Sequence, residues 1–343
     1  MQAALASCPR GALYSVSPIQ LSMLSYILPL GNFNPLPSDH LYFVITRGSN
    51  TNQVGPTKNV PLFSPGNVTV FQIGRQIQTT NGKVVNTDYY LSFAPCRQVS
   101  GTFGHVSTLG GPLAGIRFTN CEKPYSIGNG SEYGHCTAQV DIRVRAGTRI
   151  GTAGGKSSAA LDFGSDDIRV STPAVANPHH NYDLFATCAV SYYQGTLKKD
   201  LQSLLGPGQV GVKETHGCGR PFQDKIGTLQ GDWYRGPPQV ANFDITRQLA
   251  LVHVNFDPTV EAISFGGTIA PQGVLQFTPS HVGRINRSFS EVTPGPTIYC
   301  YQSQGVAGRV LIQLVSATTL NIEYQSLNCS AGIMFASPFH YQR

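Results

Sequence analysis

Apolar residues along this chain recur at alternate positions or in short unbroken runs, and almost nowhere at the period of a helix. VTVFQI (68–73) and YYLSFA (89–94) alternate, which predicts half-buried antiparallel strands. Asn81 and Gly82 between them form a two-residue hairpin signal. LYFVI (41–45) reads as a core strand, with Pro35 and Pro37 holding an extended entry. Residues 12–30, broken by Pro18 and Pro29, predict a strand pair or an irregular packing arm. The last hundred residues repeat short β-like runs, among them LALVHVNF, GVLQFT, RVLIQLV, TLNIEYQ and GIMFAS, the spacing of a small antiparallel sandwich or barrel. Only LKKDLQSLLG (197–206) keeps helical spacing, with Gly206 as its stop. The expected fold is all-β. We divide it into an N-terminal arm (1–30), a first β domain (31–175), a Cys-linked connector with one short helix (176–240) and a C-terminal β domain (241–343).

Composition sharpens this picture. Charged residues are only 12% of the 343, about half the usual share, and Gly, Pro and uncharged polar residues fill the difference. The net charge of +6 is not gathered into a long basic run, which argues against nucleic-acid binding and suits an anionic envelope. No apolar run approaches the roughly 18 residues of a membrane-spanning helix. Few charges also leave VTVFQI, VLIQLV and GIMFAS without the lysines that guard exposed sheet edges. With an apolar arm that has no evident partner in its own domain, this predicts self-assembly by strand addition or arm exchange.

Eight cysteines (Cys8, Cys96, Cys121, Cys136, Cys188, Cys218, Cys300 and Cys329) include no Cys-x-x-Cys pair, which points to disulfides formed in an oxidising compartment. The expected pairing joins 121–136, 188–218 and 300–329, leaving Cys8 with Cys96. Localisation is therefore expected to be secreted or at the cell surface. Ala-Leu-Ala-Ser before Cys8 reads equally as a lipoprotein processing site or as a plain start.

Candidate chemistry concentrates between Gly101 and Ile168. FGHV presents His105, VRAGTRIGTAGG follows, and ALDFG presents Asp162. In order and spacing these segments resemble the lysostaphin-type (LytM-like) zinc endopeptidases. The resemblance covers about half of the chain and implies an antiparallel β domain. It places His105 where the family has a catalytic histidine that steadies the tetrahedral intermediate. Asp162 stands in place of a ligand histidine, and Ala160 in place of a catalytic one. A His-x-x-x-Asp pair supplies two further zinc ligands in the family. Here Asn34 falls where its histidine would be, and Asp39 or His40 remains as the candidate metal-ligating residue beside Asp162. Losing a catalytic side chain costs orders of magnitude in rate, so the implied site is a relict and no cofactor is expected, zinc being the alternative.

Other motifs reduce to ordinary structure. GTAGGKSS (151–158) has Ile150 where a phosphate loop needs glycine, and predicts a tight turn. His179, His180 and Asp183 lack further ligands at a useful spacing, and His135 and His216 sit beside disulfide cysteines. Ser165, Asp166 and Asp167 read as turn chemistry, and four sequons (Asn67, Asn129, Asn286, Asn328) as surface loops. Two classes of function follow. One is a non-catalytic protein that reuses a peptidase-like scaffold for binding, for example of cell-wall glycan or peptide, or for a self-assembled surface layer or filament. The other is a zinc endopeptidase acting on peptidoglycan or protein.

Overall fold

A computed structural model describes residues 5–33, 36–45, 59–126, 131–155, 159–170, 184–206, 217–236, 244–303 and 308–343. Every strand pairing within its sheets is antiparallel, and the chain is nearly all β with a single α-helix among the described residues. It forms two compact units. Unit 1 comprises 1–29, 40–170 and 186–211; unit 2 comprises 30–39, 171–185 and 212–343.

Unit 1 is built on β1 (Leu24–Leu28), β2 (His40–Ile45), β3 (Val60–Phe63), β4 (Val68–Thr80), β5 (Lys83–Cys96), β6 (Val99–Leu109), β7 (Asn120–Cys121), β8 (Tyr125–Ser126), β9 (Ser131–Val144), β10 (Arg149–Ala153) and β11 (Ala160–Asp167), followed by α1 (Gly195–Ser203). The strands lie in the order β1-β2-β11-β6-β5-β4-β9-β7, with β10 joining β3 and β6. The hairpin signal holds: Asn81 and Gly82 both have positive φ, at 50° and 72°, as a mirror-image turn requires. Alternation along each strand becomes two distinct faces once the strands pair. One row across the sheet reads Leu41, Phe163, Phe103, Leu91, Ile73, Ala138, all buried and apolar. The adjacent row, one residue along, reads His40, Gly164, Thr102, Ser92, Gln72, Gln139. A single sheet therefore carries its core on one side and a polar face on the other.

The apolar side is where the N-terminal segment goes. Leu13 and Tyr14 donate backbone N–H to Tyr192 O, and Ser15 and Val16 donate to Pro65 O. The Tyr14 ring packs within 6 Å of Phe163, Tyr192 and Tyr193. Tyr14 and Ile19 are essentially inaccessible. This corrects the expectation of an arm without a partner in its own domain, because the sheet's apolar face is that partner. The unguarded runs are corrected likewise. VTVFQI lies inside β4, flanked by β5 on one side and β9 on the other, so it is not a free edge. A third correction concerns Ser165, Asp166 and Asp167, which extend β11 instead of turning. Asp167 there accepts from Arg169 Nε (2.9 Å) and Nη2 (2.7 Å) and from Tyr192 Oη (2.6 Å).

Unit 2 runs β12 (Gly231–Tyr234), β13 (Gln248–Val254), β14 (Asp257–Phe265), β15 (Gly273–Phe277), β16 (Tyr299–Tyr301), β17 (Arg309–Ser316), β18 (Thr319–Gln325) and β19 (Phe339–Gln342), in the order β15-β14-β13-β12-β19-β18-β17-β16. Phe277 and Tyr301 belong to the two end strands, yet their rings stand 5.3 Å apart. The sheet has curled until its edges nearly meet, the barrel option of the two expected. VLIQLV sits in β17 between β16 and β18, and GIMFAS forms no strand, so neither run is a free edge. These runs are therefore not the free edges on which the expectation of a second copy rested.

Disulfides join Cys8–Cys96, Cys121–Cys136 and Cys300–Cys329 as expected. Cys188 and Cys218 are also disulfide-bonded, and no cysteine is free. No helix of the described residues is long and apolar enough to cross a membrane.

Candidate functional site

The polar face of unit 1 gathers the predicted site residues. β11 sits between β2 and β6, so Asp162 lies opposite Tyr42 on one side and Gly104 on the other. His40 is two residues along β2 on the same face. His105 arrives by a different device. Tyr89 pairs with Val106 and Leu91 with Phe103, so both Gly104 and His105 oppose Tyr90: a β-bulge. His105 takes the left-handed conformation, φ 59°, which is uncommon for a residue with a side chain. The extra residue keeps Phe103 and Val106 in the core and brings the imidazole onto the polar face.

The resulting cluster is continuous. His105 Nδ1 lies 2.7 Å from Asp88 Oδ2, and His105 Nε2 lies 3.5 Å from Asp162 Oδ2. His40 Nε2 is 3.5 Å from the same Asp162 oxygen, and the His40 ring packs on Tyr42 at 4.7 Å. Burial lowers the His105 pKa, but the hydrogen bond its Nδ1–H donates to Asp88 and the charges of Asp162 and Asp88 more than offset it, leaving it above its ordinary value. Gly104 permits the approach, since a Cβ there would stand 2.9 Å from Asp162 Oδ2.

A second cluster continues the face. Tyr90 lies over Gly74, stacks on His135 (5.6 Å, 10° between planes) and is 3.0 Å from its Nε2 through the hydroxyl. Glu122 is 3.6 Å from His135 Nδ1.

Of the sequence candidates, the fold brings His40, His105 and Asp162 together, while Asp39 falls in unit 2. Asp88 and Tyr90 escaped the sequence reading. Their alternation with Ser92 was visible, but which strand β5 would face was not. His135 is more than a neighbour of a disulfide cysteine, because it is the stacking partner of Tyr90. Asn34, His179, His180, Asp183, His216, Asn129 and residues 156–158 lie outside the described residues.

Asp162 Oδ2 stands 3.5 Å from both His40 Nε2 and His105 Nε2, and Ala160, where the resemblance implies a catalytic histidine, offers no ligand. Among the described residues no group of three His, Cys, Asp or Glu side chains is placed to hold a metal ion. Comparison with protein-family models, curated proteins and solved structures finds no match to this chain.

Proposed function

We propose that this protein is a secreted or cell-surface binding protein, and that the polar face of unit 1 holds a hydroxyl-rich surface glycan without cleaving it. The observation that carries this reading is the face itself. Its rows run His40–Gly164–Thr102–Ser92–Gln72–Gln139 and Asp162–Gly104–Tyr90–Gly74–Thr137, so imidazole, hydroxyl, amide and carboxylate side chains line neighbouring strands. The glycines let neighbouring side chains lie close against the backbone, Tyr90 over Gly74 and Asp162 against Gly104, which fixes where these polar groups stand. Planar polar groups supply the ligand's hydrogen bonds, and the Tyr90–His135 stack supplies an aromatic wall of the kind sugar rings pack against. Oxidised cysteines suit an extracellular setting.

Catalysis is disfavoured by how the cluster is closed on itself. His105 Nδ1 is 2.7 Å from Asp88 and Nε2 is 3.5 Å from Asp162, so both nitrogens face carboxylates and Nε2 would have to part from Asp162 to act as a base on a bound molecule.

Calorimetric titration with soluble, neutral cell-wall oligosaccharides tests the reading. Thr102→Val and Gln72→Leu, which remove polar groups and little volume, should each weaken binding at least threefold. Cleavage of the oligosaccharides, or binding unchanged in both variants, would refute it; binding of unglycosylated peptide alone would replace glycan with peptide.

A further inference from the structure

Basic charge is divided unevenly between the two units. Unit 1 has 15 basic and 8 acidic residues (15 − 8 = +7), and unit 2 has 9 and 10 (9 − 10 = −1). Three of the 15 fall within seven residues, Arg143, Arg145 and Arg149, at the junction of β9 and β10. All three are exposed, and none has an ion-pair partner among the described residues.

Their spacing is fixed by the backbone. Arg143 and Arg145 flank β9's last residue, Val144; Val144 is buried and both arginines are exposed, with Asp141 on Arg143's side of the strand. Thr148 N donates to Arg145 O at 3.1 Å, closing a turn that returns the chain to Arg149. That turn is clamped from below: Gly147 N donates to Ser64 O and Ser64 N to Thr148 O, each at 2.9 Å, and Ala146 N donates to Asn67 Oδ1 at 3.0 Å. Gly147 takes the positive φ (76°) that the turn needs. The guanidinium groups thus project from a rigid support, which reduces the ordering cost of engaging a partner.

We infer that the Arg143–Arg145–Arg149 turn is a docking site for a linear anionic polysaccharide, one bearing sulfate, phosphate or carboxylate groups. Guanidinium forks match such groups in pairs of hydrogen bonds. Nucleic acid is the less suitable polyanion, because residues 140–155 contain no aromatic side chain on which a base would stack. The disulfides also suit a setting outside the reducing cytosol. Arg143 lies four residues along β9 from Gln139, on the side of the strand that the polar face occupies, so the site adjoins that face; its test uses ligands that the neutral-glycan reading does not require.

The experiment measures anisotropy of fluorescent dextran sulfate with the full chain between 50 and 200 mM salt, with neutral dextran and a DNA duplex of equal charge alongside. Three contacts predict a loss of affinity of about 20-fold or more over that range, and a slope near −2 on logarithmic axes. The triple variant R143Q/R145Q/R149Q should abolish most of that slope. A control, R10Q/K198Q/K199Q, removes the same charge elsewhere on unit 1 and should bind almost as the parent does. Equal losses in both variants would reduce the effect to net charge and overturn the site. Tighter binding to DNA than to dextran sulfate would overturn the polysaccharide assignment.

Discussion

Glu261 gives a sharp test of the electrostatics inside the barrel of unit 2. Its side chain is inaccessible, accepting from Ser288 Oγ at 2.7 Å and from Phe289 N at 3.0 Å, with His253 Nε2 at 3.8 Å. Burial raises its pKa from 4.5 to about 7, outweighing the two hydrogen bonds and the nearby His281, which lower it. The folded state therefore binds more protons than the unfolded state between these two values. Stability from this group is complete below about 4.5, falls as pH rises, and is gone above about 7. A shift of this size corresponds to roughly 3 kcal/mol. Glu261→Gln resembles the protonated form, because its carbonyl can accept from Phe289 N while its amide faces Ser288. The variant should unfold at pH 8 with a stability up to about 3 kcal/mol above the parent, and close to it at pH 4.5. Guanidinium titration followed by fluorescence is the assay. The single tryptophan, Trp233, is buried in unit 2 and reports on that unit alone. His253, His281 and Glu291 are common to both proteins, so the difference isolates position 261. Parallel pH profiles for parent and variant would refute the reasoning.

Two further predictions concern unit 1. Gly74→Ala puts a methyl where the Tyr90 ring lies, so the ring must leave His135; a loss of about 1–3 kcal/mol in chemical unfolding is expected, whereas Gly134→Ala, where a Cβ meets nothing, should cost less than half as much. Replacing Cys8 and Cys96 together by serine opens a loop of 88 residues and should cost about 4.5 kcal/mol, against about 3 kcal/mol for the 15-residue loop of Cys121 and Cys136, measured as the difference in unfolding free energy.

Local pattern alone carried the elements. Alternation in YYLSFA, the Asn81–Gly82 turn and the helical spacing of 197–206 depend on residues that are near one another in sequence, so each was legible before any pairing was known. Even the spacing of cysteines pointed to the pairs 121–136 and 300–329. The gathering of His105 and Asp162 was expected only from the resemblance carried by FGHV and ALDFG, not from any local pattern. Tertiary structure decided what depends on strand neighbours. Asp88 joins His105 only because β5 lies beside β6 and a bulge adds one residue there, and no one-dimensional period marks such an insertion. The fate of the apolar segment around Tyr14 was settled in the same way. Its sequence shows that it must be buried, while only the pairing of β2, β11, β6, β5 and β4 creates the apolar face in its own unit that buries it.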